Sequence, residues 1–158
     1  MAKIRDSNVL RLLEKIREHY RANISNCFLR PFVLQFPLDK NTWEQLEILT
    51  EKSEMFTFEG FHFDELYRQV AAAARFIEVS RHEVPSLKKK LSTVSTERDK
   101  IFRTMAINNF GSNLKIFADL VNELYITLAG LDKENAKNSR PVFAQMPELA
   151  NVGRQLVG

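Results

Sequence analysis

The chain has 158 residues and a mass of 18.3 kDa, with 44% hydrophobic and 27% charged residues, five Gly and five Pro. A chain of this size buries roughly 68 to 70% of its unfolded surface, which supports a core without disulfide or metal staples, and the composition excludes a low-complexity or disordered chain. The net charge of +3 divides unevenly: residues 1–40 carry eight Lys/Arg against four Asp/Glu, 41–66 one against seven, 67–104 nine against four, and 105–158 five against five. A basic excess spread over two segments weighs against a nucleic-acid partner, because phosphate binding gathers its charge on one face.

The opening MAKIRDSN has no apolar core of the secretory kind, and no later run reaches the roughly 18 to 20 apolar residues that span a bilayer. Neither secretion by a leader nor transmembrane insertion is expected. Cys27 is the only cysteine, which excludes an intrachain disulfide and a thiolate zinc site and points to a reducing, cytoplasmic setting.

Val9, Leu13, Ile16, Tyr20, Ile24 and Cys27 recur at steps of three and four, which predicts an amphipathic helix capped by Asp6 or Ser7. Pro31 and Pro37 then bracket FVLQF, where Phe32, Leu34 and Phe36 alternate, and the reading is a short extended segment or packed loop. A second, short helix is predicted over NTWEQLEILTEKSEMF, with Asn41 or Thr42 as cap and Trp43, Leu46 and Leu49 or Thr50 inward. The stretch FTFEGFHF sets Phe56, Phe58, Phe61 and Phe63 about Glu59-Gly60. It reads as a small β-hairpin near 56–63 or an irregular elbow laid over the core, and becomes a partner-binding surface if its rings are exposed.

From Phe63 the pattern is helical again through Leu66, Val70, Ala74 and Ile77, with Asp64 as expected cap and Pro85 ending or kinking the helix. Two heptad-like stripes follow: Val84, Leu87, Leu91, Val94, Arg98, Ile101, Met105, and then Phe110, Leu114, Phe117, Val121, Leu124, Leu128, Leu131. The step of five between Met105 and Phe110 falls in NNFGSN. Residues 86–131 are therefore read either as a helical hairpin turning at Gly111 or as one long helix whose seam rotates; the hairpin is preferred because glycine disfavours a helix interior. A loosely packed or extended tail follows from about residue 132, with Pro147 opening a last short helix.

The chemistry-bearing residues are sparse. His19, His62 and His82 lack metal-ligand spacing, Cys27 continues an apolar stripe, and no phosphate-cradling glycine loop or nucleophile elbow occurs. Neither catalysis nor a cofactor or metal is expected. Lys88, Lys89 and Lys90, with Arg98 and Arg103, form the densest basic patch, more consistent with a solvated helix side than with a nucleic-acid footprint. Arg98 interrupts a heptad seam: its guanidinium either snorkels out to solvent or meets a carboxylate, Glu123 or Asp119, across a helical interface. The whole reads as a mainly α protein: an irregular bundle of four to six helices in a single domain. The expected function is a non-catalytic protein–protein interaction module, an adaptor or subunit of a larger assembly. Self-association into a homo-oligomer is its variant, and nucleic-acid or acidic-membrane-surface binding through basic helices the alternative.

Overall fold

The structure, a computed structural model, describes residues 4–52, 60–91, 96–136 and 141–143. Among them are five helices and no strand: α1 (Ser7–Tyr20), α2 (Arg30–Val33), α3 (Lys40–Glu51), α4 (Phe63–Leu91) and α5 (Glu97–Asn135), with a π-helical turn, Arg21–Ser25, extending α1. α1 packs on α3, α3 on α4, α4 on α5, and α5 back on α1. The four longer helices thus close a ring around one core, an all-α bundle.

The local reasons are legible residue by residue. The Asp6 carboxylate accepts the backbone N–H groups of Asn8 at 2.9 Å and Val9 at 3.1 Å, satisfying two of the amides a helix start leaves unpaired. Val9, Leu13, Ile16, Tyr20 and Ile24 are all buried, while Cys27, just past the π-turn, is half-buried. In the π-turn the Asn23 side-chain amide donates to the His19 carbonyl at 3.2 Å, the acceptor an α-turn would reserve for the Asn23 backbone.

The segment around Pro31 is a correction to the extended reading. It forms the single-turn helix α2, and its inward residues are Leu29, Val33 and Phe36, a spacing of four and three. Proline's fixed φ suits the first turn of a helix as well as it suits an extended chain. The next helix also starts earlier than expected: its N-cap is Asp39, whose carboxylate accepts the Thr42 hydroxyl. Likewise α4 begins at Phe63, leaving Asp64 and Glu65 in its first turn, where carboxylates complement the helix dipole.

Pro85 lies inside α4 and does not end it. Nor does Gly111 turn the chain. α5 runs unbroken for 39 residues, about 58 Å at 1.5 Å per residue, so the long-helix reading holds through NNFGSN. The hairpin of residues 86–131 is made instead by α4 and α5, whose ends lie on either side of residues 92–96. The physical reason is a matter of magnitude. Glycine costs a helix interior about 1 kcal/mol, whereas Ile107, Phe110, Leu114 and Phe117 around it are each almost wholly buried, and each contributes about 1.5 to 3 kcal/mol by leaving water. The buried seam thus enters α5 at Ile107, in phase with Phe110 and Leu114, and Met105 falls on the opposite side.

Aromatic rings knit the helices together. Tyr20, Phe76 and Phe117 form a triangle with centroids 5.4 to 6.1 Å apart, and Trp43 joins Phe76 at 6.0 Å, so α1, α3, α4 and α5 meet at one cluster. A second cluster sets Phe63, Tyr67 and Tyr125 around Phe143 at 5.7 to 6.4 Å. The buried Asp132 carboxylate holds Phe143 there by accepting its backbone N–H at 2.7 Å, along with that of Val142. Beyond Phe143 the expected tail lies outside the described residues.

Within FTFEGFHF, Phe56 and Phe58 lie outside the described residues. Gly60 has φ +81°, and Phe61 forms an antiparallel bridge with Ile4, N–H to carbonyl at 2.9 Å in both directions. The extended partner of Phe61 is therefore the N-terminal segment. A Cβ at residue 60 would stand 2.9 Å from the Ile4 carbonyl oxygen and from Arg5 Cγ, so the bridge requires glycine both for conformation and for space.

Candidate functional site

Of the phenylalanines named from the sequence, Phe61 and Phe63 are buried, their rings 6.0 Å apart in an edge contact. They contribute to the core and present no surface to a partner. Lys88, Lys89 and Lys90 occupy the exposed last turn of α4, where cations complement the negative end of the helix dipole. Arg98 is exposed and forms no ion pair among the described residues. Its expected partners are excluded by the fold: Asp119 and Glu123 share α5 with it, 21 and 25 residues away, or roughly 30 to 40 Å along the axis.

The heptad stripe does hold a consequence for the surface. Because the buried seam starts at Ile107, the first turns of α5 carry their apolar residues outward: Ile101 is 61% exposed, Phe102 55% and Met105 59%. Phe28, in the turn after the π-helical segment, is 50% exposed and meets Phe102 edge-on with centroids 5.2 Å apart. The Arg103 guanidinium lies 5.9 Å from the Phe28 centroid, a cation–π contact that holds the exposed ring in place. Single exposed apolar residues are ordinary on a protein surface; four gathered on one ridge are not.

Beside the ridge is a cleft of about 310 Å³, with Cys27, Phe28, Phe102 and Met105 on its apolar side and Asn109 and Asn113 on its polar side. Burial pushes the Cys27 thiol above its ordinary range, which disfavours the thiolate a nucleophile needs. His19 has a structural task behind two residues of the lining, Asn23 and Asn113. Its Nδ1 faces the Asn23 amide at 3.1 Å and its Nε2 the Asn113 carbonyl at 2.9 Å. The amide donates to Nδ1, so Nε2 carries the proton and donates to α5. Among the described residues no three ligand-type side chains gather into a metal site, and no helix is long and apolar enough to cross a membrane.

The charge at this end of the bundle is uneven. Six basic residues (Lys88, Lys89, Lys90, Arg98, Lys100 and Arg103) and two acidic ones (Glu97 and Asp99) lie between residues 88 and 103, a net charge of +4 at this end of the bundle. Lys100 is engaged with Glu97 at 3.7 Å, an exposed pair that contributes little stability. Phe28 and Phe102 carry no helical periodicity that marks them from sequence; the available signal was Arg98 on a seam followed by the step of five. Comparison with protein families, with curated proteins and with solved structures finds no match to this chain.

Proposed function

We propose that the chain is a non-catalytic helical interaction module, and that it docks an amphipathic helix of a partner protein, flanked by carboxylates, along the ridge of Phe28, Ile101, Phe102 and Met105. The observation that carries this reading is the outward turn of the heptad stripe: Ile101 and Met105 keep helix-pairing spacing while nothing among the described residues covers them. A facing helix with its own apolar stripe fits such a surface in the helix-in-groove manner. The net charge of +4 around the ridge selects acidic flanks and accelerates encounter. Phe102, edge-on to Phe28 at the ridge centre, has the character of an interface anchor.

The test uses two designed 20-residue helical peptides with the same leucine stripe, one flanked by Glu and one by Lys, titrated against the folded chain. Preferential binding of the Glu-flanked peptide, weakening as salt is raised, supports the reading. Equal binding of both peptides removes the electrostatic selection. Duplex DNA serves as the third arm: steeply salt-dependent binding lost when Lys88, Lys89 and Lys90 are replaced by Ala would favour a nucleic-acid role instead.

A further inference from the structure

On the far side of the π-turn from the ridge cleft, a cavity of about 430 Å³ opens between that turn, α2 and α3. Its volume lies in the range of small-molecule sites. The floor is apolar, formed by Ile24, Val33 and Leu46, and Trp43 supplies an aromatic wall.

Three polar side chains of the lining, those of Tyr20, Arg30 and Glu51, form no ion pair or side-chain hydrogen bond among the described residues. Tyr20 is only 9% exposed, yet its hydroxyl makes no hydrogen bond among the described residues. Nor is that hydroxyl among the buried polar atoms left without a partner, so its oxygen reaches open space. Tyr20 lines the cavity together with Arg30 and Glu51. Burial first, and the Glu51 carboxylate second, hold its pKa above the ordinary tyrosine range, so it stays a neutral donor and acceptor. Arg30, exposed at the cavity rim, and Glu51, whose backbone carbonyl accepts from the Arg21 guanidinium at 3.4 Å, are two charged groups of the lining, and neither side chain forms an ion pair among the described residues. Glu47, the other carboxylate on the wall, is engaged with Lys52 at 3.6 Å. Beside the hydroxyls of Ser25 and Thr50, the latter donated to the Leu46 carbonyl at 2.8 Å, the lining thus offers one cation and one anion outside any ion pair and one neutral phenol with an apolar floor, and the π-turn that shapes one side is a form of backbone frequently found at functional sites.

We propose that this cavity binds a small zwitterion with an apolar side chain, of the class of the apolar α-amino acids: its carboxylate on Arg30, its ammonium on Glu51 and the Tyr20 hydroxyl, and its side chain on the floor beside Trp43. A simple organic cation would leave Arg30 opposed by like charge, and a simple carboxylate would be repelled by Glu51. A zwitterion offers each of Arg30 and Glu51 its opposite charge.

Trp43 is the single tryptophan of the chain, so its fluorescence reports this site. L-Leucine and L-phenylalanine are expected to give a saturable change in Trp43 emission in the full chain. 3-Phenylpropanoate and phenethylamine, each lacking one charge, should bind at least about tenfold more weakly. Arg30→Gln and Glu51→Gln are each expected to weaken the amino acid by about tenfold or more, and Tyr20→Phe by about threefold to tenfold. Circular dichroism checks that each variant is folded. No saturation by either amino acid up to about 10 mM, or an acid or amine that binds as tightly as the zwitterion, overturns the proposal on the unaltered protein alone. Binding unaffected by Arg30→Gln overturns the assignment of the carboxylate.

Discussion

Replacing Gly111 by Ala tests the continuity of α5, because helix and turn predict opposite signs. A Cβ built at Gly111 meets nothing within 4 Å, so no packing penalty opposes the gain in helix propensity, about 0.8 to 1.0 kcal/mol for Ala over Gly in a helix interior. The same holds at Gly130, 19 residues further along and open on the same criterion, so the two substitutions should add. Gly111→Ala is expected to stabilise by about 0.5 to 1 kcal/mol and the double variant by about twice that, raising the melting temperature by roughly 2 to 4 °C per kcal/mol. Urea unfolding followed by circular dichroism measures this, with an unchanged slope against denaturant as the sign that only native stability moved. Destabilisation by Gly111→Ala would mean that the chain turns there in a left-handed conformation, and would refute the continuous helix.

Gly60→Ala should act in the reverse sense, losing about 2 to 3 kcal/mol by the same assay, since φ +81° disfavours any side chain and the Cβ would meet the Ile4 carbonyl oxygen at 2.9 Å. The Ser80 hydroxyl is buried with no hydrogen-bond partner among the described residues, so Ser80→Ala is expected to stabilise by about 1 kcal/mol. Tyr20 ionises less readily in the folded than in the unfolded chain. The stability this confers is complete below pH 10 or so and is lost as pH rises above it, at about 1.4 kcal/mol per pH unit. Denaturant titrations of the wild type and Tyr20→Phe should therefore converge or cross with increasing alkalinity; a constant difference from pH 9 to 11 would contradict the buried, neutral phenol.

Periodicity carried much of the architecture. The stripe of α1 and the stripe from Phe110 to Leu128 are buried as their spacing requires, because an amphipathic helix has one way to leave water. Gly111 misled because a local propensity of about 1 kcal/mol is smaller than the burial of the four large side chains around it. Pro31 misled because proline's φ belongs equally to an extended chain and to a helix's first turn. The ridge was half legible: the spacing of Arg98, Ile101 and Met105 marks an apolar helix face, but only the fold shows that the bundle seals its seam at Ile107 and leaves that face bare. The cavity was not legible at all, since Tyr20, Arg30, and Trp43 with Glu51 come from three separate helices whose side chains acquire a common meaning only when the helices close.

The docking ridge is tested most directly by titrating the Glu-flanked helical peptide against the wild type and against Phe102→Asp and Met105→Asp, with sedimentation of each protein alone over a concentration series. Both positions are more than half exposed, so the substitutions leave the core intact, and each is expected to weaken the peptide at least about 30-fold, or roughly 2 kcal/mol, as for an interface anchor. Unchanged peptide affinity in both variants would contradict the ridge as the docking surface, and self-association of the wild type abolished by Phe102→Asp would identify its occupant as a second copy of the chain in place of a partner's helix.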